Sequence, residues 1–223
     1  MSRKTWIILG VMAVLIAGAG GWYVFGRDGD MRSLGAASAA GAGGYEPLPT
    51  DHTFGNPKAK VTVIEYASPT CPVCANFMIN FYPKLKTDYI DTGKILYVYR
   101  VFLRGPDDAV AEKLARCMPK DKYLSFHDML FRNQSKWDYE FGIPSPDGVH
   151  AALVQLAGEA GMSAAEADRC IASTKDEDAI SKVGEDGVAK YQVNATPTFV
   201  VNGQAEAGWE HLNEHIERAL TGK

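Results

Sequence analysis

Val61-Thr-Val-Ile-Glu-Tyr66, followed by Ala67-Ser-Pro-Thr70 and then Cys71-Pro-Val-Cys74, is the stretch on which the fold turns. The first six residues are β-rich and apolar enough for a buried strand. Beyond the cysteines, Met78, Phe81, Tyr82, Leu85 and Tyr89 recur at helical spacing, so an amphipathic helix is predicted, with a kink at Pro83. Ile95-Leu-Tyr-Val-Tyr-Arg-Val-Phe102 reads as a second strand. Strand, helix and strand with short joints make a βαβ unit, which is right-handed with parallel strands.

Working outward, the next eighty or so residues carry helix signals and almost no strand signal. Helices are predicted over Asp107 to Met118, Tyr123 to Trp137, Val149 to Ala160, Ser163 to Cys170 (opened by the capping box Ser163-Ala-Ala-Glu166), and Asp176 to Tyr191. Strand pattern returns at Thr198-Phe-Val-Val201. Asn202-Gly203 predicts a hairpin turn, with a short strand at Gln204 to Ala207 and a closing helix from His211 to Leu220.

Two cysteines spaced Cys-x-x-Cys can close a small disulfide loop. Here the pair follows a strand and opens a helix, where unpaired N–H groups and the helix dipole stabilise a thiolate. Cys71 is therefore the expected exposed nucleophile, and Cys74, one turn inside, the resolving thiol. Pro72 suits the first helical turn, where its missing N–H costs nothing. A zinc half-site would need two further ligands, ordinarily a second close pair, and Cys117 and Cys170 lie far apart instead. An inert disulfide is the other alternative. Ala195-Thr196-Pro197-Thr198-Phe199 puts a proline at the entrance of the returning strand, read either as a first-residue proline or as a cis Thr196–Pro197 bond.

These residues in this order resemble the bacterial DsbA-type thiol–disulfide oxidoreductases: Glu65 six positions before Cys71, the Cys71-Pro-Val-Cys74 motif, a helical insertion, and Thr-Pro before the last hairpin. The resemblance covers about Asp51 to Leu220. It implies an α/β thioredoxin fold split by an inserted helical domain, with 51–103 and 188–223 as the core and 104–187 as the insertion. It further implies that Pro197 is cis beside Cys71, that Thr196 and Pro197 hold an extended substrate segment, and that Glu65 is a buried acid moving the proton of Cys74. No cofactor is implied. One departure stands out: Val73 replaces the His found between the cysteines of the best-known members. Thr before the cis proline is shared with isomerase and reductase relatives.

Residues 5–26 are uncharged, preceded by Arg3 and Lys4 and followed by Arg27. Such a run is long enough to cross a hydrocarbon core about 30 Å thick, and its positive flank comes first, so the remainder is expected to be exported. Residues 1–27 read as a signal anchor or a cleaved signal peptide. The anchor is preferred because Trp22-Tyr23-Val24-Phe25 extends the apolar run past the Ala17-Gly18-Ala19 site. Residues 28–50, rich in Gly and Ala, read as a flexible linker. The expected location is periplasmic, at the inner membrane if the anchor stays.

A net charge of −4 and the lack of any Lys/Arg run argue against nucleic acid as a partner. The expected partners are reduced exported proteins and, by the resemblance, a DsbB-like membrane protein that reoxidises the pair. Only a spacer precedes the folded part, which favours a monomer. Cys117 and Cys170 must pair with each other, stay free, or bond another chain; a structural disulfide is the preferred reading. His211-Leu-Asn-Glu214-His215 matches a metallopeptidase pattern but begins near the chain end, and is read as a surface helix with no metal. His127 and His150 are read as surface or boundary residues, and Phe77, Phe81 and Tyr82 as core. Three functions stay open: a dithiol oxidase, a reductase or isomerase of the same fold, and a tethered binding or chaperone module.

Overall fold

Both faces of the strand at Val61–Ala67 are covered, which is why its sequence reads as one apolar run rather than an alternation. The computed structural model describes residues 45–222 except 46 and 144. The expected N-terminal helix, and nearly all of the linker before Pro47, lie outside the described residues. Among the described residues no helix is long and apolar enough to cross a membrane.

The strands are β1 (His52–Gly55), β2 (Val61–Ala67), β3 (Ile95–Val101), β4 (Thr198–Val201) and β5 (Gln204–Ala207). They form one sheet in the order β1-β3-β2-β4-β5. β2 and β3 are parallel, as the βαβ reading requires, and the other three pairings are antiparallel. β1 was not predicted: at four residues it is too short to carry a readable alternation, and its pairing with β3 stabilises it. The hairpin between β4 and β5 turns at Asn202 and Gly203, with φ of 47° and 88°, the left-handed pair that a two-residue loop demands. Asn202 also caps the sheet, its Oδ1 accepting from the N–H of Thr62 at 2.9 Å.

The helices are α1 (Pro72–Asn76), α2 (Tyr82–Leu85), α3 (Pro106–Cys117), α4 (Tyr123–Arg132), α5 (Gln134–Trp137), α6 (Pro146–Glu159), α7 (Ala164–Ala172), α8 (Glu177–Tyr191) and α9 (Leu212–Thr221). Segments 72–90 run as a single helical stretch in which π turns at Phe77–Phe81 and Lys86–Ile90 flank α2. Where a kink was expected, Pro83 lies within the first turn of α2. The wide turns either side absorb the break that a missing N–H makes in the ladder. The predicted helix over 123–137 is in fact two, α4 and α5, parted at Asn133.

Odd-numbered residues of β2 and β3 face α1, α9 and the helices inserted after β3; even-numbered ones face α8. α8 crosses the boundary expected at 187/188 and lies on the sheet. There Val183 packs with Ile64, Tyr66, Val98 and Val200. Gly187 permits this approach, since a Cβ there would stand 2.7 Å from the Tyr66 ring. The insertion that projects beyond the sheet is thus α3 to α7.

Cys117 on α3 and Cys170 on α7 are joined by a disulfide, with Cα atoms 6.3 Å apart and a sequence separation of 53. Replacing both by Ala is expected to lower stability by about 4 kcal/mol on loop-closure entropy alone. A urea unfolding midpoint, measured with Cys71 and Cys74 kept reduced in both proteins, checks this.

Two readings are corrected here. His127 is fully buried on the inner face of α4, its Nε2 3.0 Å from Glu112 Oε2. That helix turns its aromatic side inward, so the histidine is carried into the core, where the Glu112 carboxylate accommodates it. Phe81 is 46% exposed, because the π turn rotates it out of the helical periodicity and onto Trp209, with ring centroids 5.1 Å apart. Phe77 is buried as expected. His150 lies at the surface against Asp168 at 2.9 Å, His211 is the N-cap of α9, and Glu214 and His215 are on the outer part of that helix.

Candidate active site

β2 ends at Ala67, and the loop through Thr70 delivers Cys71 to the N-cap of α1 with φ −81° and ψ 117°. Its sulfur accepts from the backbone N–H of Cys74 at 3.3 Å, which satisfies one of the donors that every helix start leaves open. Pro72 occupies the first turn and needs no partner. Across from this cap, the chain entering β4 makes a cis Thr196–Pro197 bond. In its protonated form the Cys71 thiol donates to the Thr196 carbonyl at 3.3 Å. Cys71, Cys74, Thr196 and Pro197, some 125 residues apart in sequence, are thereby brought together.

Two side chains that sequence reasoning missed hold the loop. Gln134 of α5 donates from Nε2 to the carbonyls of Pro69, at 2.7 Å, and Cys71, at 3.0 Å. Asp108 of α3 accepts from Ser68 Oγ at 2.8 Å and the Thr70 N–H at 2.9 Å. Gln134 sits in no motif, so nothing local marks it. Asp108 could have been suspected as an acid in the first turn of a helix opened by Gly105-Pro106, but not as a brace for residues 68–70.

The cysteines differ electrostatically. The Cys74 thiol donates a hydrogen bond to the Cys71 sulfur, and the N–H groups of Cys74 and Val73 point at it; these outweigh burial and bring Cys71 from its ordinary value down to about 6. Cys74 is fully buried. Burial, reinforced by the donor role toward Cys71 and by the nearby charges of Cys71 and Glu65, holds its thiol well above the ordinary value. At neutral pH the first cysteine is a thiolate and the second a thiol. The expected exposure of Cys71 is corrected: the residue is only 4% exposed, because the Thr196–Pro197 loop covers its sulfur. The neighbouring Val73 is 49% exposed and presents an apolar side chain at the surface.

Glu65 lies under this pair on β2, fully buried. The Tyr97 hydroxyl donates to Glu65 Oε2, and Oε1 has no hydrogen-bond partner among the described residues. Burial, helped by the charge of Cys71, pushes the carboxyl up to about 8 against the opposing pull of the Tyr97 bond.

With a thiolate at a helix N-cap, a second thiol beneath it and a cis proline alongside, comparison with known proteins becomes decisive. The thioredoxin family model matches residues 48–219. The chain belongs to the thioredoxin family. Within that family it is similar to DsbA proteins. The solved structure of α-DsbA1 from Wolbachia pipientis superposes with a TM-score of 0.70 at 28% identity, covering 79% of this chain and 94% of that one. A Rickettsia typhi relative named as a protein-disulfide oxidoreductase is 34% identical over 174 residues, 76% of this chain. This thioredoxin-family chain spans 62% of that relative's length. Disulfide bond formation protein D of Bacillus subtilis is 27% identical, with 76% of this chain and 77% of the relative covered. The helical insertion expected between β3 and β4 is a feature of this DsbA-like member.

Proposed function

We propose that this chain is a thiol–disulfide oxidoreductase acting as a dithiol oxidase on reduced exported proteins, with Cys71 and Cys74 as the exchanging pair. The observation that carries the reading is the opposition of the two sulfurs: a stabilised Cys71 thiolate at the helix cap above a buried Cys74 thiol. In the oxidised protein a client thiolate attacks the Cys71 sulfur. The Cys71–Cys74 bond breaks, Cys74 departs with its electron pair, and Glu65 supplies its proton. A second client thiolate then attacks the client sulfur of the mixed disulfide and expels Cys71 as a thiolate. The client loses two electrons, and the pair gains them. A stable Cys71 thiolate is a good leaving group and favours that last step. Thr196 and Pro197, lying across the sulfur, would hold an extended client segment by its backbone. The name of the Bacillus relative is in keeping with this direction.

Catalysis then needs reoxidation, which we assign to a DsbB-like membrane partner. We assign the chain to the periplasm, tethered or released according to the fate of residues 1–27. The disulfide between Cys117 and Cys170 is assigned a structural role. A reductase or isomerase reading has two features in its favour: Val73 stands between the cysteines and brings no cationic side chain to the thiolate, and Thr196 precedes the cis proline.

The equilibrium reduction potential of Cys71–Cys74, measured in glutathione buffers on the whole chain, decides between them. The expected value is about −180 mV or higher, that of an oxidant toward exported proteins. A value of about −270 mV would reverse the direction assigned here.

A further inference from the structure

The buried carboxyl has a partner of its own. Glu65 and Tyr97 stand on the same face of neighbouring parallel strands, with Glu65 in register with Tyr99. The titratable groups around Glu65 are Cys71 and Cys74 from the α1 end, Tyr82 from α2, and Tyr97 and Tyr99 from β3. On the other side β4 offers only Phe199. Tyr99 is directed away, toward Nδ1 of His127 at 3.5 Å, and Tyr82 meets Tyr97 in a tilted ring contact, centroids 5.4 Å apart. Tyr97 is therefore the one side chain among the described residues that donates a hydrogen bond to Glu65.

We propose that Tyr97 is a positioning residue for the proton exchange between Glu65 and Cys74, its hydroxyl fixing Oε2 and sustaining the carboxylate that must receive the Cys74 proton. The inference rests on the assignment of Cys71 and Cys74 as the exchanging pair. It has a direction. When Cys74 leaves as a thiolate, Glu65 gives up a proton, and a protonated carboxyl suits that step with or without Tyr97. When Cys74 attacks a mixed disulfide on Cys71, as in reoxidation, Glu65 must begin as the carboxylate, which only a donor such as Tyr97 stabilises at this depth. The attack converts the Cys74 thiol and the Cys71-bound disulfide into the Cys71–Cys74 bond. It releases the partner as a thiolate and leaves the proton on Glu65.

The test uses the whole chain with Cys71 loaded as a mixed disulfide with thionitrobenzoate, whose release as a coloured thiolate reports the Cys74 attack. Tyr97→Phe is expected to move the midpoint of the rate–pH profile upward by about one unit, a slowing of about tenfold below the midpoint. The same change in a Glu65→Gln background is expected to have no further effect. Should the Tyr97→Phe profile superpose on that of the parent while Glu65→Gln displaces it, the role of Tyr97 is overturned and the proposed function stands. An equal slowing by Tyr97→Phe with and without Glu65 would also overturn it, since the effect would then be structural. If the parent itself releases no thionitrobenzoate, the exchange function is what has failed. A Cys71 thiolate midpoint left near 6 in reduced Tyr97→Phe certifies that the site has folded.

Discussion

Replacing Cys71 by Ser is expected to abolish thiol–disulfide exchange, bringing oxidation of a reduced client to the rate seen without protein, whereas Cys74→Ser is expected to stop the reaction one step later. Both outcomes follow from the geometry. Every exchange in the proposed mechanism passes through the Cys71 sulfur, and a serine hydroxyl can neither form a mixed disulfide nor leave as a low-energy anion. In Cys74→Ser the cap sulfur remains, so it still captures an activated disulfide, but no second thiol lies beneath it to resolve the product. The mixed species should accumulate and be visible by mass spectrometry. The parent's thiolate absorbance near 240 nm should rise with a midpoint near pH 6. Attack by Cys71 then falls about tenfold for each pH unit below that value, as the thiol becomes protonated. Loss of the Cys74 donor in Cys74→Ala should weaken the thiolate and move the midpoint upward. A Cys71→Ser protein with full client oxidation would remove the enzyme reading and favour a binding or chaperone module.

Asp51→Ala is the substitution expected to cost the most stability away from the site, about 3–5 kcal/mol. Arg100 emerges from β3 on the face toward α8, and its side chain is 2% exposed. Asp51 meets it with two bonds, Oδ1 to Nε and Oδ2 to Nη2, each 2.8 Å. Asp51 Oδ2 also accepts from the Tyr45 hydroxyl and the Leu48 N–H, both at 2.8 Å. Tyr66 adds its hydroxyl as an acceptor for Arg100 Nη1 at 2.8 Å. Truncating Asp51 removes a doubly hydrogen-bonded carboxylate from a buried guanidinium and also frees the segment before β1. Much of the loss follows from weakening the compensation of a buried charge rather than from the worth of the pair, so Asp51→Ala with Arg100→Met should recover part of it. Chemical denaturation of the three variants measures both effects. A midpoint unchanged in Asp51→Ala would show that this carboxylate does not carry the stability assigned to it.

The order of elements was legible because each depends on near neighbours in the chain. The run at 61–66, the helical spacing of 78–89 and the left-handed demand of Asn202-Gly203 are local facts, and β2, β3 and the hairpin follow from them. Cys71-Pro-Val-Cys74 between a strand and a helix likewise placed the two sulfurs at a helix cap, since strand, loop and cap are contiguous.

What only the tertiary structure decided concerns residues distant in sequence or turned by packing. Periodicity could not tell that His127 faces inward onto Glu112, that π turns swing Phe81 to the surface, or that α8 belongs against the sheet rather than with the insertion. Nor could it find Gln134 and Asp108, which brace the cysteine loop from helices that carry no motif. Burial of Glu65 was implied by resemblance, but its Tyr97 partner depends on the register between parallel strands joined through 27 intervening residues. A sequence encodes local backbone preference directly. The charge state of a side chain depends on which dielectric and which donors surround it, and those are set when distant segments pack.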